Sequence, residues 1–98
     1  EYVLSKQLLR SGTAIGALIR EAEYAQSISD FVSKLSIALK EANETLYWIS
    51  LLYDTEHFDE KIKNSFQKDC DEIISILVTS IKTGKKRINQ KGVKSGFE

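Results

Sequence analysis

Residues 31–53 read FVSKLSIALKEANETLYWISLLY, and their apolar side chains recur at steps of three and four residues. This is the period of an amphipathic α-helix, whose apolar stripe faces a core. The stripe comprises Phe31, Leu35, Ala38, Ala42, Thr45, Ile49 and Leu52. Because Ile37, Trp48 and Leu51 lie outside it, we expect this helix, predicted over residues 28–53, to be covered on more than one side.

The chain upstream predicts another helix, over residues 2–25. Its apolar and small residues recur at helical spacing as Leu4, Leu8, Ser11, Ile15, Leu18, Ala22 and Ala25. Ser27, with Asp30 three residues later, resembles a capping box at the start of the next helix. Neither Gly nor Pro occurs from Ala17 to Thr83, so the usual signals of strands and tight turns are missing.

Downstream, a third helix is predicted over residues 59–83. Its stripe comprises Ile62, Phe66, Cys70, Ile73, Leu77 and Ile81. Thr55 or Asp59 is expected to cap its start, and Gly84 is expected to end it. Residues 84–98 lack periodic apolar residues and are expected to form a frayed or disordered basic tail.

The predicted fold class is therefore all-α, an antiparallel up-down helical bundle. A chain of 98 residues fits a single domain, which we place at residues 1–83. Three helices would leave part of the apolar surface of residues 28–53 uncovered. We expect a further element to pack there, either a first helix upstream of this chain, a second subunit, or both.

Charge is distributed unevenly along the chain. The formal net charge is zero, with 14 Lys+Arg against 14 Asp+Glu. Within residues 1–81, however, acidic side chains outnumber basic ones. Six cations follow within residues 82–94: Lys82, Lys85, Lys86, Arg87, Lys91 and Lys94. Such a run is either a solvated appendage or a contact for phosphates, and the sequence leaves both readings open. No aromatic residue interrupts it before Phe97, so we expect weak sequence specificity in any nucleic-acid binding.

The sequence also bears on location. No apolar run approaches the roughly 20 residues that a membrane-spanning helix needs, so we expect no membrane partner. The lone Cys70 has no partner for an internal disulfide, which is typical of a cytoplasmic protein.

Residues with catalytic potential are sparse. The single His57 lies in a polar link without a second His or Cys nearby, so it is expected to be solvated. Cys70 falls on an apolar stripe beside Asp69 and Asp71, which would raise the pKa of its thiol and make a reactive thiolate unfavourable. We therefore expect no catalytic residue, no metal and no cofactor.

Other polar residues have a structural interpretation. Glu41 and Glu44 lie three residues apart without a following His, and we expect them to form ion pairs with Arg10 or Arg20 between helices. An active-site pair of carboxylates is the disfavoured alternative.

Two glycines lie inside the first predicted helix. Gly12 and Gly16 each cost about 1 kcal/mol relative to Ala in such a position. Their neighbours are also small, so we predict a surface for the close approach of another helix rather than a hinge or a ligand site. The full set predicted for helix packing or an oligomer interface is Gly12, Gly16, Ile37, Trp48 and Leu51.

Three segments carry a resemblance to a known family. They are LLRSGTAIGALIREA at residues 8–22, SDFVSKL at residues 29–35, and IALKEANETLYW at residues 37–48. Together they resemble the bacterial four-helix bundle proteins encoded in 23S ribosomal RNA intervening sequences, often called S23 ribosomal proteins. The resemblance covers about residues 4–83. One departure is Leu18, which stands where relatives usually have Asn.

The resemblance implies a four-helix protomer whose first helix would precede Glu1. It also implies assembly, because related accessory proteins of diversity-generating retroelements form homopentamers with basic surfaces suited to nucleic acid. No enzymatic activity is established for the S23-like members. The resemblance therefore points to a homo-oligomer, by analogy a pentamer, without catalytic activity.

Two functional hypotheses follow. The first is a non-enzymatic, oligomeric protein that binds RNA or DNA, structured RNA above all, through the six cations of residues 82–94. The second is a protein–protein adaptor that docks a partner enzyme such as a polymerase or reverse transcriptase, with Tyr47 or Trp48 as anchors.

Overall fold

Three α-helices make up the described part of the chain. The computed structural model describes residues 2–97, with side chains described through Gln90. Helix α1 spans Tyr2–Glu23, α2 spans Ile28–Asp54 and α3 spans Glu60–Phe97. The described residues contain no strand, which confirms the all-α fold class. They form three helices rather than four.

Helix α2 lies between the other two. It packs along both α1 and α3, whereas the backbones of α1 and α3 make no close contact with each other. Ala38 and Ala42 are fully buried in α2. Their small side chains let both outer helices approach closely. The core joins residues of all three helices: Ile15, Ala22, Val32, Leu35, Ala38, Ala42, Cys70, Leu77 and Ile81.

Local hydrogen bonds explain where α2 begins. Ser27 is its N-cap, and its hydroxyl accepts a hydrogen bond from the backbone N–H of Asp30 at 3.0 Å. This confirms the capping interaction predicted from the sequence. The cap satisfies one of the donors that a helix N-terminus leaves free.

The link between α2 and α3 uses two different caps. Thr55 ends α2, and the next residue, Glu56, adopts a left-handed backbone conformation with φ 65°. The carboxylate of Asp59 accepts a hydrogen bond from the backbone N–H of Ile62 at 2.8 Å. Of the two caps predicted for α3, Asp59 therefore has this role.

The prediction that the third helix ends near Thr83 is wrong. Helix α3 continues through Gly84 to Phe97, so the basic residues predicted as a disordered tail lie on a helix. No glycine in the described chain has a positive φ, so Gly84 does not form a left-handed C-cap. It instead permits close packing, because a Cβ at Gly84 would stand 2.5 Å from Cγ2 of Val32.

Helix α3 extends past the start of α2. Gly84 already lies against Val32 and Ile28 in the first turns of α2, and Ile88 packs on the same core. Because α2 begins at Ile28 and α3 runs antiparallel to it, the residues after Ile88 continue beyond α2. The molecule accordingly measures 60 × 19 × 15 Å, with its long axis close to the length of α3.

Candidate functional site

Two of the three sequence segments that resemble the known family, residues 8–22 and residues 37–48, contact each other across α1 and α2. The guanidinium of Arg10 pairs with the carboxylate of Glu41 at 3.3 Å and with that of Glu44. Glu44 also accepts a hydrogen bond from the indole N–H of Trp48 at 3.3 Å. These contacts fix the position of α1 along α2.

A buried polar contact lies beside this ion pair. The hydroxyl of Thr45 donates to Oγ of Ser11 at 2.9 Å, and the Ser11 hydroxyl donates to the backbone carbonyl of Leu8 at 3.1 Å. Ser11 is fully buried. Since Ser11 lies opposite Thr45 in antiparallel helices, Arg20 lies about opposite residue 36, a distance of more than one helical turn from Glu41.

This offset corrects the expected role of Arg20. Its side chain is exposed and forms no ion pair with Glu41 or Glu44. Arg10 alone connects α1 to these two carboxylates within the described residues.

An apolar groove runs between α1 and α3, with α2 as its floor. Its volume is about 530 Å³. Gly12 and Gly16 face open space on the α1 side, where an added Cβ would meet no atom within 4 Å. The apolar side chains that line the groove are Leu8, Leu9, Ile15, Ile19, Ile49, Phe66 and Ile73.

Some large apolar side chains are exposed to solvent because they border this groove. Leu9 is 71% exposed and Phe66 is 44% exposed, although Phe66 falls on the stripe predicted to be core. Both border the gap between α1 and α3. The groove is therefore an apolar surface that the three helices leave uncovered.

The remaining residues predicted for an interface lie on α2. Ile37 is 45% exposed, while Trp48 and Leu51 are half-buried. Tyr47 is exposed and contacts the Trp48 ring edge to face, with ring centroids 5.0 Å apart. Ile37, Trp48 and Leu51 do not line the groove, whereas Gly12 and Gly16 do. The five residues predicted for an interface therefore do not form one continuous site.

The basic residues of α3 are solvent-exposed where their side chains are described. Lys82, Lys85, Lys86 and Arg87 are all exposed, while Ile81, Gly84 and Ile88 face the core. The side chains of Lys91 and Lys94 lie outside the described residues.

The spacing of these inward residues was the sequence signal for a longer helix. Ile81, Gly84 and Ile88 continue the stripe of Leu77 at steps of four, three and four. Gly84 also matches the pattern of a helix end, which is why the sequence predicted that the helix stops there. A glycine in a helical pattern indicates either a site of close packing or, near the end of the helix, a C-cap.

The basic residues do not share one face of α3. At about 100° per residue, Arg87 lies about 140° around the helix from Lys82 and about 160° from Lys85. Arg87 lines a polar cleft beside Ser80 and Thr83, next to the turn between α1 and α2. Lys82 and Lys85 do not border this cleft. Lys86 lies between them, about 40° from Lys82 and about 100° from Arg87, so the four cations spread over the outward side of α3.

The residues with catalytic potential remain separate from one another. His57 is exposed in the link between α2 and α3. Cys70 is buried, and its thiol donates a hydrogen bond to the backbone carbonyl of Ala42 at 3.3 Å. Burial raises the pKa of the Cys70 thiol, and the charge of Asp71 raises it further.

Among the described residues, no three His, Cys, Asp or Glu side chains cluster as metal ligands would. Within that part of the chain, no helix is both long and apolar enough to cross a bilayer.

Comparison with known proteins identifies the family. The sequence matches none of the curated proteins. Its fold is similar to the crystal structure of a protein of unknown function from the S23 ribosomal protein family of Bacteroides thetaiotaomicron. That similarity has a TM-score of 0.82 and 57% sequence identity, and covers 84% of this chain and 76% of the other. The model of the 23S rRNA-intervening sequence protein family matches residues 1–79. The chain therefore belongs to the family of 23S rRNA-intervening sequence proteins.

Proposed function

We propose that this chain is a non-enzymatic, cytoplasmic protein that binds structured RNA through the basic segment of α3, residues 82–94. The observation that carries this proposal is the exposure of Lys82, Lys85, Lys86 and Arg87 on a helix that is anchored to α2 by its opposite face. Lys91 and Lys94 extend the same segment. Phosphate contacts from such cations supply most of the affinity of non-specific nucleic-acid binding.

The surrounding charges support this location for the site. Residues 82–97 contain no Asp or Glu, whereas Asp and Glu outnumber Lys and Arg in residues 1–81. A polyanion is therefore attracted to one end of the molecule and repelled from most of the rest. The family's association with 23S rRNA intervening sequences makes RNA the preferred nucleic acid.

The functional assembly is proposed to be larger than three helices. The apolar groove between α1 and α3, with open space above Gly12 and Gly16, has the form of a position for a fourth helix. We propose that a further helix completes a four-helix bundle there, and that bundles form a homo-oligomer, a pentamer by resemblance. Several basic segments on one oligomer would bind RNA with avidity, so each segment needs only modest affinity.

A salt titration with charge-neutralising variants tests the RNA site. The test variant changes four exposed cations of α3 to Gln: Lys82, Lys85, Lys86 and Arg87. The matched control changes four exposed cations elsewhere to Gln: Lys6, Lys40, Lys61 and Lys68. Binding to a structured RNA is measured over a range of salt concentrations.

The two variants are expected to differ in slope as well as affinity. The test variant should lose about 2.8–3.6 from the slope of log affinity against log salt, since each phosphate contact contributes about 0.7–0.9. The control should keep most of the original slope. Equal losses in both variants would contradict a localised site. RNA binding that survives in the test variant would contradict the basic segment as the site. Loss of binding to a partner enzyme in Trp48→Ala, without unfolding, would favour the adaptor surface instead.

A further inference from the structure

The polar cleft beside Arg87 lies between α3 and the turn that joins α1 to α2. Its volume is about 690 Å³, which is in the range of cavities that hold small ligands. Gln26 and Ser27 of the turn form one side, and Ser80 and Arg87 of α3 form the other. The cleft shares no lining residue with the apolar groove, so the position proposed for a fourth helix is a different surface.

Several polar groups of this cleft have no partner within the described residues. Both ion pairs among the described side chains involve Arg10, so the guanidinium of Arg87 is unpaired. The hydroxyl of Ser80 and the side-chain amide of Gln26 likewise form no hydrogen bond within that part of the chain. Hydrogen-bond donors on both sides of the cleft are therefore available to a ligand.

An aromatic side chain forms part of the cleft wall. Phe31 is half-buried and lines the cleft, and a Cβ at Gly84 would stand 3.8 Å from its Cδ2 atom. Because Gly84 carries no side chain, α3 leaves space beside the ring. Unpaired bases of RNA stack on aromatic rings and on arginine guanidinium planes, and this cleft contains one of each.

The charges of the cleft give a bound nucleotide one preferred orientation. Glu23 places a carboxylate on the α1 side, which repels a phosphate but can accept hydrogen bonds from the amino group of a base. Arg87 lies on α3, next in the chain to the exposed Lys86. A phosphate is therefore attracted to the α3 side of the cleft, and a base is suited to the opposite side.

We propose that this cleft binds one unpaired nucleotide of the RNA, with its phosphate on the guanidinium of Arg87 and its base beside Phe31. This inference rests on the proposed RNA-binding function and specifies its partner, an RNA helix with an extruded nucleotide. Exposed cations outside the cleft, such as Lys82 and Lys86, contact the phosphates of the adjoining backbone and position it. A nucleotide that is already unpaired enters the cleft at little cost, whereas a paired one must first leave its stack.

Three RNA hairpins test the proposal with the full chain. The first has an uninterrupted stem, the second has the same stem with one bulged nucleotide, and the third has that bulged nucleotide without its base. We expect the second hairpin to bind about tenfold more tightly than either of the others at the same salt concentration. The physical reason is that only the second hairpin offers an unpaired base to the cleft.

Two pairs of variants locate this preference. Arg87→Gln and Lys86→Gln each remove one exposed cation, so each should lower the salt slope by about 0.7–0.9. Only Arg87→Gln should also reduce the preference for the bulged hairpin, since Lys86 lies outside the cleft. Ser80→Tyr fills the cleft without a change in charge, so it should abolish the preference and keep the slope. Its control is Ser75→Tyr, at an exposed position of α3 outside the cleft.

The outcomes separate this inference from the function on which it rests. Equal affinity for all three hairpins, or for the two bulged ones, overturns the nucleotide site and leaves RNA binding by the segment in place. An equal loss of preference in Arg87→Gln and Lys86→Gln also overturns it, and this comparison decides if Ser80→Tyr does not fold. Absence of binding to any hairpin at low salt overturns both proposals.

Discussion

Oγ1 of Thr45 lies 2.9 Å from Oγ of Ser11, and these two hydroxyls join α1 to α2 inside the core. Neither residue is apolar, yet Ser11 is fully buried and Thr45 is 8% exposed. Oγ1 of Thr45 also lies 2.8 Å from the backbone carbonyl oxygen of Glu41. No buried side-chain N or O atom of the described residues lacks a hydrogen-bond partner. This contact therefore specifies which turn of α1 lies opposite which turn of α2.

A double-mutant cycle measures this contact. Ser11→Ala and Thr45→Val should each lower the free energy of unfolding by about 1 kcal/mol, because each removes one buried hydrogen bond. The double variant should cost less than the sum, with a coupling energy of about 1 kcal/mol. Thr79→Val is the control, since the exposed Thr79 hydroxyl bonds only within α3, to the backbone carbonyl of Ser75. Additive losses in urea denaturation would show that the two hydroxyls do not interact.

The sequence predicted the helices and their starts better than it predicted the end of α3. Periodic apolar residues determine α1 and α2, and the observed bounds lie within two residues of the predicted ones. Gly84 was ambiguous, because glycine is common both at helix ends and at sites of close helix packing. The continuing spacing of Ile81, Gly84 and Ile88 favours close helix packing, and the position of Val32 across the interface decides it. Such a contact between distant residues has no signal in the local sequence.

Glycine substitutions test that distinction. Gly84→Ala should destabilise the chain by about 1–2 kcal/mol, because the new Cβ would crowd the stiff, buried side chain of Val32 by more than its helix propensity gains. Gly16→Ala is the matched control. Its Cβ meets open space, so it should raise the free energy of unfolding by up to about 1 kcal/mol. Thermal and urea denaturation measure both, and equal gains would contradict close packing at Gly84.

The candidate site was only partly accessible to sequence analysis. The charge pattern identified the basic residues, but their fixed positions around a helix depend on α3 continuing through Gly84. The glycines were correctly placed on α1, yet the sequence did not show that they border an open groove with Phe66 on its far side. The groove exists because α1 and α3 both pack on α2 without meeting. Because the groove depends on how three helices pack together, the pattern of any single helix does not predict it.

Glu56 offers a test of backbone strain in the link between α2 and α3. Its φ of 65° is unfavourable for a residue with a Cβ and costless for glycine. Glu56→Gly should therefore raise the free energy of unfolding by about 0.5–1 kcal/mol, even though glycine increases the entropy of the unfolded chain. Ser33→Gly, at an exposed position inside α2, should instead lower it by about 0.5 kcal/mol. A loss of stability in both variants, measured by urea denaturation, would exclude strain at Glu56.

Cys70 provides a prediction about pH. Burial, followed by the charge of Asp71, raises the pKa of its thiol above the ordinary value of 9.0 in the folded chain. Above about pH 9 the unfolded chain loses this proton while the folded chain retains it, so the unfolded state is favoured as the pH rises. The contribution of the neutral thiol is complete below pH 9 and declines as the pH increases through the folded-state pKa.

The measurement compares the chain with Cys70→Ala by urea denaturation between pH 7.5 and pH 10. The variant loses packing at every pH, but it lacks the titrating thiol. The stability advantage of Cys70 over Ala should therefore shrink as the pH rises above about 9. Asp71→Asn should make the decline less steep, because it removes the smaller of the two causes. An advantage that stays constant across the range would mean that the thiol titrates equally in both states and is not buried as the structure indicates.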